Sequence, residues 1–145
     1  MKKRVVVDID GTITKVGDRV ECLKSDPPDW DSFYARCGED EPVRPILDLL
    51  ESLSVNTDFV FCSGRRESCR EDTEIWFKKH SLPGGILLLR ADGDFRHDAI
   101  VKPEMLANFG IELKDIAFVL EDRNSMFRTW REMGLTCLQV AEGDF

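Results

Sequence analysis

Val5-Val6-Val7 is an unbroken apolar run bounded by Lys3-Arg4 and Asp8. A strand with one wet face would alternate, so a continuous β-branched run reads as a strand covered on both sides, and the pattern predicts it over 3–9. Further strands are expected at 57–62, 85–89, 116–120 and 136–140, with Ser63-Gly64, Glu121-Asp122 and Gly143 as stop signals. Between them, apolar positions at helical spacing predict helices over 43–53, 67–79, 103–109 and 125–133. This alternation implies βαβ crossovers and an α/β fold: a three-layer, Rossmann-like parallel sheet with helices on both faces. Ligands of such sheets bind beyond the carboxyl ends of the strands, which puts the expected chemistry just after Ile9, Cys62 and Leu120. The stretch 14–41 breaks the alternation with Pro27-Pro28, several Asp and one short helical piece around 30–37. It reads as a small cap-like insertion after the first strand. No repeat or linker divides the chain, so residues 1–145 are expected to form one domain.

Composition agrees with a folded domain that needs no staples. The chain has 145 residues, of which 42% are hydrophobic and 33% charged, enough apolar material for one core and too many interruptions for a membrane span. Lys2-Lys3-Arg4 followed by the valines imitates the start of a signal peptide, but Asp8 and Asp10 end the apolar run too early, so the chain is expected to begin near Met1. Five scattered cysteines without a CxxC pair, and only two His, point to reduced thiols and a cytoplasmic protein rather than disulfides or a thiolate metal site. A net charge of −8 argues against broad electrostatic binding of nucleic acid and leaves only local contact.

Asp8-Ile9-Asp10-Gly11-Thr12 places two carboxylates where a strand breaks into a glycine turn. The pattern suits Asp8 as a nucleophile toward phosphorus, once a divalent cation offsets charge repulsion, with Asp10 as general acid and base. An ordinary acidic turn would look the same in isolation. The other strand ends add to it. Ser63-Gly64-Arg65-Arg66 offers a hydroxyl, backbone N–H groups and two guanidinium forks to a phosphate. Lys102, next to a predicted helix start, can neutralise the phosphate and Asp8. Glu121-Asp122 is a natural place for a Mg²⁺ ligand opposite Asp8. Each has a bland counterpart: a capped helix, a surface lysine, another acidic turn.

This order of motifs resembles the haloacid dehalogenase-like phosphatases. The resemblance implies an aspartyl-phosphate intermediate on Asp8, acid/base work by Asp10, phosphate binding by Ser63 and Lys102, and Mg²⁺ held by Asp8, Asp10 and Asp122. A narrower likeness covers nearly the whole chain. Asp8 to Arg19, Ser63-Gly64-Arg65, Gly93-Asp94 with Arg96, Asp98 and Lys102, Asp122-Arg123 and the segment from Trp130-Arg131 to Phe145 resemble the 3′-phosphatase domain of bacteriophage polynucleotide kinase-phosphatases. That likeness implies active-site roles for Arg19, Arg65 and Arg96, with Gly64 beside the phosphate. Two departures stand out. No GxxxxGK[ST] kinase loop is present, so only the phosphatase half is expected, which leaves room for a separate kinase or ligase partner without identifying one; and Glu121-Asp122 replaces an expected pair of Asp, leaving the role of Glu121 open.

The expected substrate is a 3′-phosphorylated DNA or RNA end, in nucleic-acid repair or end healing. A nucleotidase or general small-molecule phosphatase is the alternative, and a non-catalytic binding module is disfavoured by the complete motif set. Residues 26–41 carry six acids against the single Arg36, which should repel an extended polyanion. Trp30, Phe33, Tyr34 and Phe95 are the candidates for base stacking, the first three with packing of the insertion as the favoured role. No membrane partner is expected, and a short insertion leaves room for a homo-oligomer to complete the site.

Overall fold

The valine run forms β1 (Lys3–Val7), the central strand of a five-stranded parallel sheet, in a computed structural model that describes residues 2–145. Met1, the expected start, lies outside the described residues. With strands numbered in chain order, the sheet runs β5 (Gly85–Arg90), β4 (Thr57–Arg66), β1, β6 (Ile116–Arg123), β7 (Cys137–Gly143). Val6 packs on one side with Val60, Val119, Leu106 and Trp130, while Val5 and Val7 face Leu47, Leu50, Phe59 and Trp76 on the other. That double burial is why the run does not alternate. Helices α2 (Arg44–Leu53) and α3 (Arg70–Lys79) supply the second group; α4 (Asp98–Asn108) and α5 (Asn124–Glu132) supply the first. The result is the expected three-layer α/β sheet. Among the described residues, no helix is long and apolar enough to cross a membrane.

Several boundaries differ from those read in the sequence: β1 ends at Val7 rather than Ile9, and β7 runs through Gly143, which was expected to lie beyond its end. β4 and β6 continue past Cys62 and Leu120 to Arg66 and Arg123, because their carboxyl ends re-pair with β5 and β7 after a shift of register, Arg66 opposite Arg90 and Arg123 opposite Gly143. The chemistry-bearing residues of these two strands therefore sit on strand backbone rather than in loops after it. α4 begins at Asp98, not at Pro103. Its cap is His97, whose Nδ1 accepts the Ala99 N–H at 3.0 Å. Pro103 lies inside the helix, where it forfeits one intrahelical donor, and Lys102 is an interior residue rather than a helix opener.

The stretch between β1 and α2 starts and ends in a small antiparallel ribbon, β2 (Thr14–Lys15) with β3 (Glu41–Pro42). Between them lies α1 (Trp30–Ala35), with Asp29 accepting the Ser32 N–H at its start. Phe33 is buried, whereas Trp30 and Tyr34 remain partly open.

Trp130 closes the core on the α5 side with no exposed surface. Replacing it by Ala should destabilise the fold by about 3–5 kcal/mol, read as a lowered urea midpoint at unchanged slope; a loss under about 1 kcal/mol would show that this layer does not depend on it.

Candidate active site

β1 and β6 run out of the sheet side by side, the Asp8 N–H bonding the Leu120 carbonyl at 3.0 Å. This sets the Asp8 side chain against the acids of β6. Consecutive strand residues point to opposite sides, so Asp122 meets the turn after β1 and Glu121 meets α4 and α5. Thr12 Oγ1 lies 3.0 Å from Asp8 Oδ2 and 3.2 Å from Asp122 Oδ1, one hydroxyl proton shared between two carboxylates. Gly11 has φ +85°, and a methyl there would overlap the Asp122 carboxylate. The turn needs glycine for its left-handed backbone and for the room it leaves.

Lys102 reaches this cluster from α4. Its Nζ donates to Asp8 Oδ1 at 2.7 Å and to Glu121 Oε2 at 3.1 Å. The indole N–H of Trp130 adds a 3.5 Å contact to that Glu121 oxygen, and the other oxygen accepts the Asp122 and Arg123 N–H groups at 3.2 and 3.4 Å. Glu121 thus shares the buried ammonium with Asp8. Lys102 is 1% exposed. Burial works against its charge, but Asp8, Glu121 and Asp98 hold its pKa well above the ordinary value. Burial and the neighbouring Asp8 push Glu121 up to about 7 and Asp122 up to about 9.

Asp8, Glu121 and Asp122 each offer an oxygen within 4.8 Å of the others. Three buried carboxylates meet one ammonium there, and burial first, then the nearby Asp8 and Glu121, raise the Asp122 pKa. A hard, oxygen-seeking divalent cation suits such a set, so the residues present fit a metal. The Asp10 carboxylate stands outside that set. Its Oδ1 accepts from Arg19 at 2.8 Å and from Arg65 at 2.7 Å, and Arg65 Nε lies 3.2 and 3.1 Å from its two oxygens. Burial alone would raise the Asp10 pKa, yet Arg65 and Arg19 bring it below the ordinary value.

Both arginines are themselves anchored. Asp40, at the end of the insertion, takes Arg19 at 2.8 and 2.5 Å, the Phe33 carbonyl takes it at 2.5 Å, and its guanidinium lies 4.5 Å from the Phe33 ring centre. Arg65 donates to Thr73 Oγ1 at 2.9 Å and to the Cys37 carbonyl at 3.2 Å.

Asp8, Asp10, Ser63, Gly64 and Asp122 line a single chamber of about 30 Å³ at the carboxyl ends of β1, β4 and β6. Lys102 closes it from behind through Asp8. Arg19 and Arg65 stand behind Asp10 rather than on the chamber wall. Ser63 is buried, and its Oγ accepts the Arg65 N–H at 3.1 Å. Arg96 is placed apart: its exposed guanidinium pairs with Asp94 at 2.8 Å and Glu104 at 2.8 Å on the rim of an outer groove.

A second buried knot went unread in the sequence. Asp98 pairs with Arg90 and, at 2.8 Å, with Arg123, tying the ends of β5 and β6 to the start of α4. Burial opposes its charge, but Lys102, Arg123 and Arg90 keep its pKa below the ordinary value. Arg90 also donates to the Gly64, Asp94 and Arg96 carbonyls at 2.8, 3.0 and 2.7 Å. A methyl on Gly64 would overlap Asp98, which accounts for glycine there. The arginines at strand ends were a signal, but their common partner across two strands and a helix leaves no trace in spacing. Asp40 likewise looked like one more surface acid.

A sequence model of the polynucleotide kinase PNKP phosphatase domain matches residues 2–145. Among solved structures, a Pnkp1/Rnl/Hen1 complex aligns with a TM-score of 0.83 at 30% identity, covering 100% of this chain and 48% of that one. A Pnkp1/Rnl/Hen1 RNA repair complex aligns at 0.81 and 28%, covering 99% and 44%. The chain spans less than half the length of each. A haloacid dehalogenase-like hydrolase from Streptococcus pneumoniae, at 16% identity and a TM-score of 0.67, covering 95% of this chain and 84% of that one, shares the fold. With a family match running from Lys2 to Phe145 and the acids of that fold gathered at its strand ends, this chain belongs to the PNKP phosphatase domains, within the haloacid dehalogenase-like phosphatases.

Proposed function

We propose that the chain is a Mg²⁺-dependent phosphomonoesterase that removes 3′-phosphates from DNA or RNA ends through an aspartyl-phosphate on Asp8. The observation that carries this reading is the convergence of Asp8, Asp10, Ser63, Gly64 and Asp122 on one small chamber, with buried Lys102 bonded to Asp8. The family match supports a nucleic-acid end as substrate. The two similar complexes support a setting in which a separate kinase or ligase acts on the same ends.

Asp8 and Asp122, with Glu121 beside them, would hold Mg²⁺, which supplies charge neutralisation so that a phosphate dianion can approach a carboxylate. Lys102 donates to one Asp8 oxygen and fixes it in place, leaving the other to face phosphorus. An Asp8 oxygen attacks phosphorus, the bond from phosphorus to the 3′-oxygen breaks, and the departing oxygen takes a proton from Asp10. Asp10 then accepts a proton from water, whose oxygen attacks phosphorus and releases Asp8. Arg19 and Arg65 hold Asp10 in position for both transfers. They also favour its anion, while the charge of an arriving phosphate favours its protonated form.

The acidic insertion is a weaker obstacle to a polyanion than its count of acids implies. Asp31 is paired with Arg66, Asp40 with Arg19, and Asp29 caps α1. The small chamber keeps a nucleotidase in view as the second reading. Phosphate release should be metal-dependent, abolished by chelator, and fastest from a 3′-phosphorylated oligonucleotide when compared with its 5′-phosphorylated twin and a 3′-mononucleotide; faster release from the mononucleotide would make the enzyme a nucleotidase. Asp8→Asn should abolish turnover. Asp10→Asn should slow a 3′-phosphate by about 10²–10⁴-fold and nitrophenyl phosphate by much less; equal losses on both would contradict the acid/base role.

A further inference from the structure

The reaction chamber adjoins a groove of about 260 Å³ whose walls include Trp30, Tyr34, Arg66, Phe95 and Arg123. Trp30, Tyr34, Asp98 and Arg123 line both spaces, so a molecule whose phosphate occupied the chamber would extend its next group into the groove. We propose, resting on the 3′-phosphatase reading, that this groove seats the terminal nucleoside of the substrate, with the base stacked on a platform formed by Phe95, Arg66 and Tyr34, and that the enzyme therefore acts on ends whose last base is unpaired.

The platform is built of flat groups in series. The Trp30 and Tyr34 rings stack with centroids 5.9 Å apart and planes 22° from parallel. The Arg66 guanidinium lies 5.5 Å from the Tyr34 ring centre and 5.8 Å from that of Phe95. Two anchors hold it rigid: the Tyr34 hydroxyl donates to the Gly64 carbonyl at 2.9 Å, and Asp31 pairs with Arg66. Tyr34 thereby ties the platform to the residue next to Ser63 on the chamber wall.

Phe95 is 78% exposed at the lip of this groove. It stands between Asp94 and Arg96, which pair with each other, and Arg96 also pairs with Glu104. An apolar ring held over an arginine and open to water is the arrangement single-stranded nucleic acid uses, because every base has a π-face and a neighbouring phosphate. At about 260 Å³ the groove is smaller than the roughly 300–1,000 Å³ of ordinary small-molecule pockets and matches one nucleoside better than a base pair. Stacking carries little base preference, so all four bases should be accepted.

The test measures kcat/KM for wild type, Phe95→Ala and Phe95→Tyr on a 3′-phosphorylated single-stranded oligonucleotide with a terminal base and on its twin with an abasic terminal residue, and repeats it on the corresponding 3′-mononucleotide pair. In wild type, losing the base should cost about tenfold or more. Phe95→Ala should shrink that ratio toward one, and Phe95→Tyr should restore it. A blunt duplex end should be processed more slowly than an unpaired one by a similar factor. A ratio near one in wild type, a ratio unchanged in Phe95→Ala, or equal rates on blunt and unpaired ends would overturn the platform. A base effect that appears on mononucleotides, with no preference for oligonucleotides, would uphold the platform while defeating the polynucleotide reading.

Discussion

The ammonium of Lys102 lies 2.7 Å from Asp8 and 3.1 Å from Glu121, and all three side chains are almost out of water. Such a charge is tolerable inside a protein only when its partners are in place, since removing one member of a buried pair typically costs about 3–5 kcal/mol. The three partners come from β1, α4 and β6, so a single interaction pins the ends of the two central strands to the helix that covers them. The geometry of the chamber follows from it. Asp8 is fixed by Lys102, Asp122 is brought to Asp8 by the course of β6, and Thr12 and Gly11 fill the remaining space between them.

Around this centre, charge is partitioned into two compartments. On the Asp8 side acids outnumber bases, and the surplus is what a divalent cation would meet. On the Asp10 side two arginines meet Asp10 and Asp40. The insertion is thus more than a cover: Arg19 and Asp40 both come from it, Arg19 bonds Asp10 directly, and Asp40 braces both arginines that meet Asp10. Asp98 plays the corresponding part on the outer side, joining Arg90 and Arg123 at the mouth of the chamber. Asp8 and Asp10, two residues apart in the sequence, consequently sit in opposite electrostatic surroundings.

Local physics was legible in the sequence wherever a single segment carried it. The unbroken valines announced a strand buried on both faces, and the acids after Val7 and Leu120, with Ser63 and Gly64 between, marked the strand ends where the chamber forms. Asp8, Asp10, Ser63 and Gly64 stood out at those strand ends, and the family resemblance singled out Asp122 from the Glu121-Asp122 pair. The start of α4 was missed because histidine is an uncommon cap and Pro103 looked like a helix opener. The long-range charge pairs were beyond reading. Nothing in the acidic stretch 26–41 distinguishes Asp40, which is buried against two arginines, from acids that remain in water, and nothing local says that Glu121 turns inward to Lys102. The extended ends of β4 and β6 depended on register shifts in their neighbours, a property of pairs of strands rather than of either one.

The claim on which the rest depends is that the carboxylate cluster carries more negative charge than the protein itself offsets, and that a divalent cation settles there. Thermal unfolding with and without Mg²⁺ tests it directly. At a hundredfold excess over its dissociation constant the ion should add about 2.7 kcal/mol of stability, a rise in Tm of roughly 5–10 °C for a domain of this size. Asp122→Asn should be no less stable in chelator and should lose the rise. A wild-type Tm indifferent to Mg²⁺, or a rise that survives in Asp122→Asn, would contradict the account.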